Sequence, residues 1–192
     1  MKQILVYLSI FLLSGYVIVA AEQPAGIVLY FQSGGEIYLL LAEHAESNRG
    51  WAGFGGNPLA GETAAETAAR KGEEETRGYF KRSELLQKIK DQSPVVEGNF
   101  ATYFVEVVFV PAQRVMNNPV PVGNPAYLER RTFTWMPYSI LTDFLSKRID
   151  RNETYNIDPA FLPGRSQTQW FWPAWLRSMH KAAVTRMLPW QQ

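Results

Sequence analysis

One stretch of 30 residues, 51–80, limits most strongly what this chain can fold into. It reads WAGFGGNPLAGETAAETAARKGEEETRGYF and joins a glycine-rich segment to a run of strong helix formers. Thr63 with Glu66 three residues later forms a capping-box pattern, which predicts the first turn of a helix. Gly78 is the predicted helix stop. The sequence therefore predicts a glycine-rich loop that leads directly into one helix.

The faces of this helix separate small residues from charged ones, since successive residues advance by about 100°. One face carries only small side chains, which lets a sheet approach closely: Ala65, Ala68, Ala69, Gly72 and Thr76. Another face brings Glu74 and Glu75 together with Lys71. Two adjacent carboxylates behind a glycine-rich loop favour Mg²⁺ or Mn²⁺, which usually keeps waters and takes further ligands from substrate phosphates. The alternative is a solvent-exposed helix with salt bridges between turns.

The stretch resembles the Nudix box between residues 56 and 78. That pattern is G-x5-E-x7-R-E-U-x-E-E-x-G-U, where U is a bulky apolar residue. Five of its fixed positions are matched at the right spacing: Gly56, Glu62, Arg70, Glu74 and Glu75. Three positions depart from it. Lys71 replaces a glutamate, Gly72 replaces the apolar residue, and the closing glycine, Gly78, comes one place late.

The resemblance implies a hydrolase that cleaves a pyrophosphate bond in a nucleoside diphosphate linked to another moiety, with Mg²⁺ or Mn²⁺ as cofactor. Glu74 and Glu75 would bind the metal and, with Arg70, carry out catalysis. Arg70 would orient Glu74, because second-shell hydrogen bonds fix metal ligands. The small-molecule nucleotide substrate would lie against Gly55 and Gly56.

The remaining box positions have structural roles in this interpretation. Glu62 would stabilise the start of the helix, where the dipole favours an anion, and Gly56 would also give the loop its turn. Lys71 is the position that bears on activity, because the family uses a glutamate there. Glu73 points about 160° away from position 71 on a helix and cannot replace that glutamate.

A carboxylate from outside the box could replace the metal ligand that is lost because position 71 is a lysine. Glu97, Glu106 and Glu129 are the candidates, and the resemblance favours Glu129 as a metal ligand, because the family often places such a residue just before the TFTWMP strand. In the other interpretation, Lys71 pairs with Glu74 and Glu75 and repels a cation. The protein would then be a Nudix-fold domain that binds a nucleotide or a protein partner without hydrolysis.

The rest of the chain predicts an α/β (α+β) fold, a mixed sheet sandwiched between helices in three α/β/α layers. Residues 26–31 and 36–42 form a hairpin around Ser33-Gly34-Gly35, and residues 99–111 and 132–137 are further strands. Residues 138–148 form a helix, and an aromatic-rich C-terminal helix begins at Pro173. It packs against the domain or acts as a lid on a nucleobase. His44, in a predicted loop, is a candidate substrate contact.

The first 21 residues predict an export signal, with Lys2, an apolar run over 4–13 and the small residues Val19-Ala20-Ala21 before Glu22. The protein would be periplasmic or secreted, with residues 22–192 as a single domain. Alternatively, residues 4–21 stay uncleaved and anchor it in a membrane. The net charge of +1 gives no reason to expect a nucleic-acid partner, and the absence of cysteine leaves no thiol chemistry.

If residues 1–21 are removed on export, the protein recovered from its native host begins near Glu22. Intact-mass spectrometry of that material measures this directly. A soluble species that retains Met1 would contradict export, and a membrane-bound species that retains it would favour the anchor.

Overall fold

A computed structural model describes residues 22–192 of the chain. The predicted signal or anchor, residues 1–21, lies outside the described residues. Among residues 22–192, no helix is long and apolar enough to cross a membrane.

The described chain contains a mixed sheet whose two longest strands form a hairpin. The strands are β1 (Ala25–Ser33), β2 (Glu36–His44), β3 (Trp51–Ala52), β4 (Phe54–Gly56), β5 (Val95–Glu97), β6 (Phe100–Glu106), β7 (Arg130–Pro137), β8 (Tyr155–Asn156) and β9 (Trp170–Phe171). The order along the sheet is β5-β6-β1-β2-β3-β9-β8, while β4 pairs with β1 and β7 with β2. β1 is antiparallel to β2 and parallel to β6, so the predicted mixed sheet is confirmed.

The hairpin turn between β1 and β2 depends on two glycines. Gly34 and Gly35 have φ angles of 59° and 82°, in the left-handed region that other residues rarely adopt. Two consecutive residues of this kind give the twist that a two-residue hairpin loop needs. The predicted hairpin is therefore confirmed, although both strands extend beyond the predicted ranges.

Helices cover both faces of the sheet. They are α1 (Ala64–Glu75), α2 (Arg82–Ile89), α3 (Ala112–Met116), α4 (Thr142–Leu145) and α5 (Pro173–Val184). Alternate residues of β1 enter different cores, since successive side chains of a strand point to opposite faces. Ile27 and Leu29 lie in the core that contains α1 and α2, whereas Val28 lies in the core that contains α4 and α5. The predicted α/β/α layering is confirmed.

Three predicted elements differ in the structure. The strand predicted over residues 99–111 ends at Glu106, and Val108 and Phe109 beyond it are exposed. The helix predicted over 138–148 divides into a 3₁₀ turn, Tyr138–Leu141, followed by α4. His44 is the last residue of β2 rather than a loop residue. In the first two cases apolar composition predicted a longer element than the backbone pairing supports.

The C-terminal helix begins at Pro173, as predicted, with Trp172 still extended before it. Its buried side chains include Leu176 and Met179, which pack in the core on the α5 face of the sheet. Most of the aromatic tail is thus part of the domain core, and two of its tryptophans, Trp172 and Trp175, also line the cleft between α5 and the sheet.

Packing explains why the chain has Gly72 where the family pattern has a bulky apolar residue. A Cβ at Gly72 would lie 2.7 Å from Leu85 Cδ1 and 3.0 Å from Ile27 Cγ2. α1 therefore lies too close to α2 and β1 to accept the bulky apolar residue of the pattern.

Replacing Gly72 with leucine should destabilise the fold. Overpacking costs about 1–3 kcal/mol, which exceeds the gain of about 1 kcal/mol from better helix propensity. Urea denaturation should give a lower midpoint for Gly72→Leu, with Gly72→Ala close to the parent as the smaller control. An unchanged or higher midpoint for Gly72→Leu would show that α1 can move away from the sheet.

Candidate functional site

The start of α1 is fixed by the predicted capping box. Thr63 Oγ1 accepts a hydrogen bond from Glu66 N at 3.2 Å, and the Glu66 carboxylate accepts one from Thr63 N at 2.9 Å. At the other end, the helix stops at Glu75, and both Arg77 and Gly78 have left-handed φ angles, 55° and 70°. Arg77 therefore takes the left-handed conformation at the position where the family pattern has its glycine.

Arg70 connects two of the box carboxylates. Its Nε donates to Glu62 at 2.9 Å, and its Nη1 donates to Glu74 at 3.1 Å. Glu62 also accepts hydrogen bonds from the Leu59 backbone N at 2.9 Å and from Thr67 Oγ1 at 3.2 Å. Glu62 therefore holds the Arg70 side chain in place, and Arg70 in turn holds the Glu74 carboxylate.

These contacts perturb the pKa of Glu62. Burial acts to raise it, but the hydrogen bonds from Arg70 and Leu59 and the charge of Arg70 outweigh burial and lower the pKa to about 2. The carboxylate is therefore ionised at neutral pH and is held more firmly in the folded chain than in the unfolded chain.

The Lys71 ammonium lies among three carboxylates. Its Nζ is 3.1 Å from Glu74, 3.7 Å from Glu75 and 3.0 Å from Glu129. Gly56 leaves room for the lysine side chain, because a Cβ at Gly56 would lie 2.5 Å from Lys71 Cε. Burial opposes the charge of Lys71, but the three carboxylates outweigh it and raise the pKa of the ammonium.

Gly56 is accordingly not the turn residue that the sequence predicted. It is the last residue of β4, and neither it nor Gly55 has a left-handed φ angle. Gly55 N donates to the Glu75 carboxylate at 3.2 Å. Both glycines serve close approach between β4, α1 and the side chains around them.

Glu75 forms a fully buried ion pair with Arg130, which the sequence analysis did not identify. Arg130 Nη2 lies 2.6 Å from Glu75 Oε2, and both side chains are 1% exposed. The same guanidinium donates to the Gly53 carbonyl at 2.9 Å. Burial raises the pKa of the Glu75 carboxyl, and the charges of Arg130 and Lys71 oppose that rise. The pair joins the end of α1 to β7 and to the segment before β4.

Lys71 and Arg130 form one cluster with the carboxylates of Glu74, Glu75 and Glu129. These carboxylates do not suit a divalent cation in their present arrangement, because the two cations already pair with them. Within residues 22–192, no group of three or more histidine, aspartate or glutamate side chains is placed to hold a metal ion. Of the three candidates outside the box, only Glu129 contacts the cluster. Glu97 lies in β5, and Glu106 ends β6.

A cleft of about 610 Å³ opens beside this cluster, between α5 and the sheet. Gly55 and Gly56 line it, together with positively charged and aromatic side chains: Arg49, Phe100, Arg130, Trp172, Trp175 and Arg177. Its volume is typical of small-molecule sites. Glu97 is the one carboxylate among the lining residues, so the cleft favours an anionic ligand.

Several polar atoms that line the cleft are buried without a hydrogen-bond partner: His44 Nε2, Thr102 Oγ1, Trp175 Nε1 and Arg177 Nε. Leaving a buried polar group unsatisfied costs about 1–3 kcal/mol. A ligand with hydrogen-bond acceptors would satisfy Trp175 and Arg177. The cleft therefore presents unpaired hydrogen-bonding groups to whatever occupies it.

His44 is neutral at physiological pH. Burial lowers its pKa to about 3, with further contributions from the charges of Arg130, Arg49 and Lys71. Its ring meets Trp172 edge-on at 5.7 Å, and the Arg49 guanidinium lies 5.4 Å from the centre of the Trp172 ring. His44, Arg49 and Trp172 thus form one continuous part of the cleft wall.

Two features define the class of protein to which this chain belongs. The fold is a mixed sheet between helices, and the box consists of a glycine-rich strand followed by a capped helix whose carboxylates are bridged by Arg70. A NUDIX domain model matches residues 22–156. The chain belongs to the Nudix hydrolase family, whose members are usually pyrophosphohydrolases and generally depend on divalent metal ions.

Two solved structures show the range of similarity. One is an Ap4A hydrolase binary complex from C. elegans, at 18% identity and a TM-score of 0.40, covering 61% of this chain and 81% of that one. The other is a MutT/nudix family protein from Enterococcus faecalis, at 11% identity and a TM-score of 0.43, covering 85% of this chain and 62% of that one. No curated protein matches the chain.

The pKa of Glu62 predicts how the stability of the fold depends on pH. The pKa is about 2 in the folded chain and 4.5 ordinarily. The stabilisation is therefore complete above about pH 4.5 and is lost as the pH falls towards 2, on the order of 3 kcal/mol at most. Glu62→Gln should lower the free energy of unfolding at pH 7 and weaken its fall between pH 4.5 and 2.

Urea titrations at several pH values measure both effects. Glu84→Gln is a suitable control, because Glu84 is an exposed carboxylate on α2. Equal pH profiles for the parent and Glu62→Gln would show that Glu62 is not held by Arg70 in solution.

Proposed function

We propose that this domain binds a phosphorylated, nucleotide-type ligand in the cleft, and that Lys71 blocks or greatly slows metal-dependent hydrolysis. One observation carries the proposal: the Lys71 ammonium lies 3.0–3.7 Å from the three carboxylates that would otherwise attract a cation. The lysine supplies the positive charge that a metal would bring, but it has no open coordination positions for water or phosphate.

Electrostatics disfavour a metal ion beside this ammonium. Two unit charges 4 Å apart interact by about 4 kcal/mol near a protein surface, and a divalent ion doubles that repulsion. Losing the Lys71 proton would relieve it, but the surrounding carboxylates raise the pKa of Lys71. Without the metal, no group in the cluster lowers the pKa of an attacking water, and the charges of Lys71 and Arg130 are already paired with carboxylates.

The cleft walls support an anionic, partly aromatic ligand. Arg49 and Arg177 supply guanidinium groups, which suit phosphate geometry. Trp172 and Phe100 supply aromatic surface of the kind on which a base stacks. These groups can hold an anionic ligand without a metal.

Metal-dependent pyrophosphate hydrolysis is the second candidate function, and one observation favours it. Glu129 contacts the same ammonium as Glu74 and Glu75, so three carboxylates converge on one point. Movement of Lys71 away from that point would leave Glu74 and Glu129 for Mg²⁺ or Mn²⁺, while Glu75 stays paired with Arg130. Glu129 is 43% exposed and has room to adjust.

We further propose that the protein acts after export, as the residues 1–21 predict. An exported nucleotide-binding domain would meet its ligand outside the cytoplasm. The mass measurement at the N-terminus tests this part separately from ligand binding.

Lys71→Glu should restore metal binding. The change removes the ammonium and adds a carboxylate where the family has one, so Mn²⁺ affinity should rise at least about tenfold over the parent. Pyrophosphate hydrolysis of nucleotide sugars, ADP-ribose and NADH should rise with it. Isothermal titration with Mn²⁺ measures the first effect. Chromatography of the two phosphomonoester products formed with Mg²⁺ or Mn²⁺ measures the second.

Lys71→Gln is the matched control, because it removes the same charge without adding a ligand, and its Mn²⁺ affinity should fall between the two. Glu129→Gln in the Lys71→Glu background should weaken Mn²⁺ binding again. Glu75→Gln is unsuitable, since it would leave Arg130 buried without its partner. Full metal-dependent activity in the parent would show that Lys71 does not block hydrolysis. It would establish pyrophosphate hydrolysis as the function.

A further inference from the structure

A second group of basic side chains lies beyond the cleft, on the outer part of α5. A pocket of about 440 Å³, here called the α5 pocket, is lined by Glu97, Arg148, Ile149, Arg177, His180, Lys181 and Val184. Glu97 and Arg177 line both this pocket and the cleft. The two are therefore neighbouring parts of one surface, joined at Arg177.

The α5 pocket has an excess of positive charge. In the part of the chain that the structure describes, Arg148, Arg177 and Lys181 form no ion pair. Arg177 Nε is buried and has no hydrogen-bond partner. Glu97 is the one carboxylate among the lining residues, so the pocket is positively charged overall.

This charge lies on one face of α5 at an energetic cost. Arg177 and Lys181 are four residues apart, and like charges at that spacing destabilise a helix by about 0.2–0.5 kcal/mol. Arg148, which follows α4, adds a third cation to the same pocket. His180 is anchored beside them, since its Nδ1 lies 2.9 Å from the Leu145 carbonyl and donates to it. Glu97 also lines the pocket but, among the described residues, forms no ion pair with these cations, so a bound anion would relieve their repulsion.

The distance along α5 between the cleft and the α5 pocket sets the length of a ligand that reaches both. Trp172 precedes the first turn of α5 and lines the cleft, whereas Lys181 lies nine residues further on. At 1.5 Å per residue, the two are roughly 13 Å apart along the helix axis. A ligand that fills the cleft and also contacts Lys181 must therefore be extended, with its second anionic group away from the first.

We propose that the α5 pocket is a second anion site, and that the ligand of the cleft is an extended phosphorylated molecule whose far anionic group binds Arg148, Arg177 and Lys181. The proposal rests on the proposed function for the group that occupies the cleft. The α5 pocket itself depends only on the basic side chains around it.

The test compares two ligands that share a nucleoside and differ in phosphate chain length, AMP and adenosine 5′-tetraphosphate. Titrations of the full chain in EDTA, at two salt concentrations, exclude metal-dependent hydrolysis. The tetraphosphate should bind more tightly than AMP and with a steeper salt dependence. The double variant Arg148→Ala/Lys181→Ala should weaken tetraphosphate binding about tenfold, because it removes two charge-assisted contacts, and should leave AMP binding unchanged.

Lys147→Ala/Arg151→Ala is the matched control. It removes the same charge from exposed residues near Arg148 that do not line the α5 pocket. Its tetraphosphate affinity should stay within about twofold of the parent, since exposed charges act weakly at a distance. Equal losses in the two double variants, or no loss in either, would overturn the second anion site.

Inorganic tripolyphosphate separates this proposal from the proposed function. If AMP fails to bind but tripolyphosphate binds and is weakened only by Arg148→Ala/Lys181→Ala, the nucleotide assignment of the cleft is wrong and the second site stands. If AMP binds and no polyphosphate probe responds selectively to Arg148→Ala/Lys181→Ala, the cleft assignment stands and the second site is wrong.

Discussion

The buried ion pair between Glu75 and Arg130 fixes the geometry on which the candidate site depends. It joins the last turn of α1 to β7, and its guanidinium also donates to the Gly53 carbonyl ahead of β4. Removing one partner from such a pair commonly costs about 3–5 kcal/mol, because the other charge stays buried. This pair therefore helps to hold α1, and with it Lys71, in position against the sheet, together with the packing of Ala68 and Ala69 in the core. The same pair engages Glu75, which would otherwise be available to a cation.

The charges around the box form a closed network. Arg70 joins Glu62 to Glu74, Lys71 joins Glu74 to Glu129, and Arg130 neutralises Glu75. A family site with a glutamate at position 71 would have one more negative charge and one fewer positive charge, which calls for a cation from solution. Here Lys71, a side chain of the protein itself, supplies that positive charge. Lysine in place of glutamate at position 71 changes the net charge of the site by two units, while the helix keeps its capping box.

Local and distant contacts differ in how well the sequence predicted them. The capping box at Thr63 lies within one turn of helix, so spacing alone was sufficient, and the family resemblance implied the contact between Arg70 and Glu74. Arg130 lies 55 residues from Glu75, and its position depends on the register of β7 on β2, where it is opposite His44. No spacing rule links residues so far apart. The strand predicted over 99–111 was too long for a related reason, since apolar composition does not show where strand pairing ends.

The cleft and the box share Arg130, but among residues 22–192 the other two arginines that line the cleft, Arg49 and Arg177, form no ion pair with a box carboxylate. Their availability makes binding without hydrolysis physically reasonable. In the box, Glu62, Glu74 and Glu75 each have a cationic partner. In the cleft, Arg49 stacks on Trp172 and Arg177 has a buried donor without a partner, whereas His44 is held neutral. An anionic ligand therefore gains contacts in the cleft that do not require any change in the box. Under the proposed function, loss of the metal would remove the activation of water and would leave phosphate recognition to side chains other than the one at position 71.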